Sequence, residues 1–222
     1  IAKSYGLDWH EITYEICDYY EMIGHMSYHG MPSHYNHWSF GKSFEQTHFN
    51  YNLGQTGLPY EMIINSNPSI AYLMMQNPLY LQILIMAHCI GHSDFFKNNA
   101  EFKNTHPEDV IFRFNAAKKR IQSYVEDPTI GIEKVEKIID ACHAIQYQID
   151  RNNRERLSDS DKRKMLSGTD RTKSGLILFD INKVPVEPDY DIMGFMLEHG
   201  KHLEPWKRDV IEIVRDSKIG RA

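Results

Sequence analysis

Two histidines, His88 and His92, stand four residues apart in the run Ile85–Asn99, IMAHCIGHSDFFKNN. On a helix that spacing is about 6 Å of rise and roughly 40° of rotation, so the two rings share one face, one turn apart. Both can then offer a nitrogen to a single cation, and zinc takes imidazole nitrogens at about 2.0–2.1 Å. The H-E-x-x-H helix of zinc peptidases uses the same spacing, with its Glu as general base. Here Cys89 follows His88, so any proton transfer needs a carboxylate from elsewhere. The competing reading is a pair of core-facing histidines bonded to backbone or carboxylate. With 12 His in the chain, chance alone yields about 0.6 such pairs. A second pair, His25 and His29, has the same spacing.

Further metal and acid–base candidates cluster upstream. His25, His29, His34, His37 and His48 crowd one short region. His34 and His37 join His88 and His92 as candidate ligands, and His29 is a further source of a third ligand. Zinc or another divalent metal is the cofactor such a set would take. Glu45 and Glu61, beside apolar or aromatic residues, are the candidate catalytic carboxylates. Asp94 lies about 200° around a helix from His92 and cannot join both histidines while the helix continues.

The elements that must position these residues read as mainly α with a small sheet. The stretch from Trp9 to Gly30 reads as a strand followed by a helix, and a loop then enters a helix near Phe44. Met62–Ile64 suits a short strand, Asn67-Pro68 marks a turn, and a helix is expected from Ser69. A second Asn-Pro, Asn77-Pro78, opens the long apolar helix that carries His88 and His92. Thr105 and Glu108 form a capping-box pattern ahead of Val110, Phe114, Ala117, Ile121 and Val125 at helical spacing. Ile132, Val135, Ile139, Cys142, Ile145 and Ile149 line another helix. Residues 151–174 carry eight Lys/Arg and four Asp/Glu with almost no apolar content, and read as a polar linker or mobile loop. A basic docking strip is the alternative there. GLILFDI (175–181) suits a short strand, and two helices follow, the second opening on Pro205.

The whole of residues 1–222 is expected to form a single domain. Hydrophobic residues make up 41 % of the chain, enough for a real core, and the net charge is -5. That balance argues against nucleic-acid binding through phosphate neutralisation. No apolar run is long enough to span a membrane. Cys17, Cys89 and Cys142 are widely spaced, with no C-x-x-C pair, which suits reduced thiols in a cytoplasmic protein. Trp9, Tyr19, Tyr20, Trp38 and the helix at Trp206 are candidate docking surfaces. Core packing is the preferred reading for Trp38 and Trp206.

Five strings occur in order from about Tyr14 to Asp216: HGMPSHYNHWSFGKSFEQ, YEMIINSNPSIAYLM, MAHCIGHSDFFKNN, IIDACHAIQYQIDR and FMLEHGKHLEPWKRDVIEIVRD. Together they resemble the SpoVR family, named for stage V sporulation protein R. The resemblance implies a bacterial cytosolic protein linked to spore cortex assembly in spore formers and to stress and stationary phase elsewhere. It also implies partners: a serine kinase of the AAA type and a von Willebrand-like protein. The family's His-x-x-x-His falls on His88 and His92, again without a following Glu, so Cys89 is no departure. The fold it implies is zincin-like. Family members carry a downstream Asn-Glu-Gly-Trp-Ala string that looks like the third-ligand segment of gluzincins. This sequence ends at RDSKIGRA before any such string: either the domain is truncated at its C-terminus or the family pattern is broken here. A degenerate gluzincin-like hydrolase and a non-catalytic interaction module are the two functions to be weighed.

Overall fold

The computed structural model describes residues 1–151, 157–168 and 191–219, with the backbone alone for 165–168. Among the described residues it is mainly helical, with one three-stranded sheet. The chain runs β1 (Ile12–Cys17), α1 (Tyr19–Ser27), α2 (Trp38–Asn52), β2 (Glu61–Ile64), β3 (Ser69–Met74) and α3 (Leu79–Asn98). It continues through α4 (Val110–Glu126), α5 (Ile132–Ala144), α6 (Asp159–Gly168), α7 (Ile192–His199) and α8 (Pro205–Asp216).

The sheet order is β1-β3-β2. The central strand β3 lies parallel to β1, with Ile12 opposite Ser69 and Cys17 opposite Met74. It lies antiparallel to β2, with Glu61 opposite Leu73 and Ile64 opposite Ile70. The helix expected from Ser69 is therefore a strand. Its six residues are too few for periodicity to separate a helix from a strand buried on both faces. Pairing on both edges decides the matter, and Ala71 to Met74 are all buried.

Alternation along β3 builds two layers. Ala71 and Leu73 face α3, where they meet Ile85 and Cys89. Tyr72 and Met74 face the opposite way, onto Met22, Met31, Val110 and Phe114. A second core joins α4, α5, α7 and α8 through Ile121, Val135, Ile139, Met193, Val210 and Val214. Tyr35 and Phe40, on either side of the start of α2, plug into it. The helix α8 turns Val210, Ile211, Ile213 and Val214 inward, as its spacing predicts. Asp191 ties this layer together. It is 1 % exposed, accepts from the Gly194 amide at the start of α7, and accepts from Arg215 Nε and Nη2 at 2.9 and 2.7 Å.

Two further readings need correction. The helix α4 begins at Val110, so Thr105 and Glu108 do not cap it. His106 has φ 50°, in the left-handed region, and breaks the run; the Thr105 hydroxyl instead donates to Phe102 O and accepts from Asn65 Nδ2. Trp38 is 53 % exposed rather than in the core, and its Nε1 donates to Asp140 Oδ1 at 3.0 Å. Trp206 is half-buried against the second core, as expected. Within the charged stretch 151–174, residues 159–168 form α6. The strand expected at 175–181 lies outside the described residues. No helix among the described residues is long and apolar enough to cross a membrane.

Candidate metal centre

The site is assembled by α3 and the edge strand β2. The α3 helix opens after Pro78, whose fixed φ suits a helix start, and runs for 20 residues. Ile85, Cys89, Ser93 and Phe96 form its buried stripe against the sheet. His88 and His92 stand beside that stripe. On β2, Glu61 and Ile63 pair with Leu73 and Ala71, so they share the sheet face that α3 covers. The sheet therefore carries Glu61 to the two imidazoles across 27 residues of sequence.

The three side chains converge. His88 Nε2 lies 2.9 Å from His92 Nε2 and 3.3 Å from Glu61 Oε1. One ligand atom from each lies within 4.8 Å of the others, and among the described residues this is the set of His, Cys, Asp and Glu that meets that geometry. Two nitrogens bound to one tetrahedral zinc would sit about 3.3 Å apart, so the pair need open by only a few tenths of an ångström. The His88 side chain is 56 % exposed and that of Glu61 18 % exposed, so the cluster is reached from solvent on one side. The His92 ring lies nearly parallel to Phe96, centroids 6.2 Å apart. Burial lowers the His92 pKa, and His88 lowers it further against the opposing pull of Glu61. The neutral, ligand-competent imidazole is thereby favoured at neutral pH. Cys89 is fully buried; burial, followed by the Glu61 charge, pushes its thiol up to about 12. It neither ligates with the pair nor serves as a base at neutral pH.

The other nominated residues lie elsewhere. His34 packs between Tyr35 and Phe40, with Phe114 at 5.2 Å. His37 is the N-cap of α2: its Nδ1 accepts from the Ser39 amide and lies 2.7 Å from Ser39 Oγ. His37 Nε2 is 3.2 Å from Asp140 Oδ1, but off the hydrogen-bond direction. His143 completes this group, 2.9 Å from the Tyr35 hydroxyl and with its ring 4.7 Å from that of His37. Glu45 is exposed on α2, outside the three-residue set. His25 and His29 do not share a helical face, because α1 ends at Ser27 and His29 has φ 54°; His25 instead stacks on Tyr72, centroids 3.7 Å apart. Asp94 is engaged by the Asp8 amide and Asn98.

The site is thus a helix on a small sheet that presents two imidazoles and a carboxylate at one edge, within reach of one another. The chain itself belongs to the SpoVR family: the family described as "SpoVR like protein" matches residues 1–219. It is 36 % identical over 234 aligned residues to the uncharacterized protein YcgB of Escherichia coli strain K12. That alignment covers 97 % of this chain and 46 % of the relative, so the chain spans about half the length of the curated protein it matches. No solved structure matches.

Proposed function

We propose that this domain holds a divalent metal of the zinc class through His88 Nε2, His92 Nε2 and the Glu61 carboxylate, and that the site works as a zincin-like hydrolase centre. The observation that carries this reading is the convergence of the three ligand atoms within 4.8 Å. Two His and one Glu form a catalytic zinc set, which keeps one coordination position open. The exposure of His88 leaves that position reachable. An ion held there supplies Lewis acidity toward a carbonyl or phosphoryl oxygen.

The chain's own residues do the rest. The sheet fixes Glu61 against the helix. Burial keeps His92 neutral. With Cys89 unable to take a proton, the second Glu61 oxygen is the proton acceptor of the set. Glu61 thus acts first as a ligand, although its sequence setting nominated it as a base. Glu45, His34 and His37 have no role at this centre. In this reading the domain serves the setting that the family resemblance implies: spore cortex formation or stress response in the bacterial cytoplasm, beside an AAA-type serine kinase and a von Willebrand-like partner. The competing reading is a non-catalytic docking module for those partners.

Metal analysis of the purified chain after equilibration with zinc, manganese or cobalt tests the centre. Stoichiometric metal is expected, falling to background in His88→Ala, His92→Ala and Glu61→Ala. Background metal in the unmodified chain ends the proposal. Retention in all three variants moves the metal elsewhere.

A further inference from the structure

An α-helix that is apolar all round belongs in an interior, with protein on every side. From Leu79 to Ser93, α3 contains no Asp, Glu, Lys or Arg. One face is satisfied by the sheet through Ile85 and Cys89. The opposite face is not. Leu79 and Tyr80 are each 77 % exposed, Leu84 65 %, Ile83 63 % and Phe95 50 %. Ala87 and Gly91 lie between them and are exposed as well. Tyr80, Leu84, Ala87, Gly91 and Phe95 recur at intervals of four, three, four and four, which makes one continuous stripe about 22 Å long. Soluble monomers rarely leave so long an apolar surface open. The contrast with α8 is internal to the molecule: α8 hides Val210, Ile211, Ile213 and Val214.

We propose that this outer face of α3 is a docking surface, and that its occupant is the part of a SpoVR-family polypeptide lying outside the matched half. Two facts select that occupant. The E. coli relative matches 97 % of this chain, yet more than half of its own length lies beyond the match. The stripe is uncharged from end to end, so it suits a permanent, apolar partner surface rather than a charged, transient one. Ala87 and Gly91, at its centre, let a partner backbone approach closely. The inference does not rest on the metal centre.

Hydroxyl-radical footprinting tests this, using the present chain as it stands and the full-length E. coli relative. Tyr80, Leu84 and Phe95 should label strongly in this chain, and the matching positions of the longer protein severalfold less. As a second measurement, Leu84→Glu should leave the melting temperature of this chain unchanged, while the same change at the matching position of the relative should lower it. Equal labelling in the two proteins overturns the proposal. So does protection already present in this chain at high dilution, which assigns the cover to another segment of the same chain. Protection that vanishes on dilution also overturns it, in favour of a second copy.

Discussion

His88 and His92 stand at the rim of α3 with their Nε2 atoms aimed at one point, and Glu61 is the carboxylate aimed at the same point. His34, His37 and His143 sit on the far side of the sheet layer, packed ring against ring around Phe40. In that second group the rings turn to separate protein neighbours: Tyr35 O for His34, Ser39 and Asp140 for His37, the Tyr35 hydroxyl for His143. The first group is open and convergent, and the second is closed and divergent. Both are histidine-rich and both draw on closely spaced residues. Convergence of side-chain nitrogen and oxygen atoms, not abundance of imidazole, separates the proposed ligand set from a polar core.

The largest expected effect separates the two groups by metal affinity. His88→Ala or His92→Ala should weaken zinc binding at least ~100-fold, about 2.7 kcal/mol. Without metal, His88→Ala should change stability by only ~0.5 kcal/mol, since its side chain is more than half exposed. Zinc competition titrations and zinc-dependent melting shifts read both. His37→Ala should do the opposite. It removes a buried ring and the cap of α2, costing about 2–3 kcal/mol in urea unfolding while metal uptake is unchanged. Loss of zinc binding in His37→Ala would break the comparison.

The closed group also predicts a pH dependence. Burial lowers the pKa of His37 below its ordinary 6.5, against the opposing pull of Asp140, and burial likewise lowers that of His25. The unfolded chain therefore takes up these protons at higher pH than the folded one. Stability should be flat above neutrality, fall as pH drops through about 6.5, and level off below the folded pKa values. Urea midpoints between neutral and acidic pH should show this, and His37→Gln should flatten the slope. The smallest effect belongs to Asp140. Its exposed carboxylate raises the His37 pKa, so Asp140→Asn should steepen the acid loss slightly and cost no more than ~1 kcal/mol at neutral pH. Loss of its contact with Trp38 Nε1 should also shift the tryptophan fluorescence.

The sequence made α3 legible because length, the preceding Pro78 and the absence of early breakers all agree. It made the His88–His92 pair legible because four-residue spacing on a helix has one geometric meaning. Glu61 could be named but not placed. Its approach depends on the β2–β3 reversal and on α3 crossing the sheet, and neither leaves a local pattern. The misreading of β3 as a helix hid that reversal. His25 and His29 show the converse: identical spacing means nothing once α1 has ended between them. The apparent cap at Thr105 failed for a similar reason, since a left-handed His106 separates it from α4. SpoVR membership was legible because five strings in fixed order constrain far more than any one of them.

Asp191 serves as a clasp, joining the first turn of α7 to the last turn of α8 through a single buried carboxylate. A protease nick in the 200–204 connection should therefore leave two fragments that stay associated under native conditions. Shortening the chain to end before Arg215 should be far more damaging than its few residues suggest. It would strand a negative charge in an apolar interior and unfasten a helix whose N-cap lies 24 residues upstream.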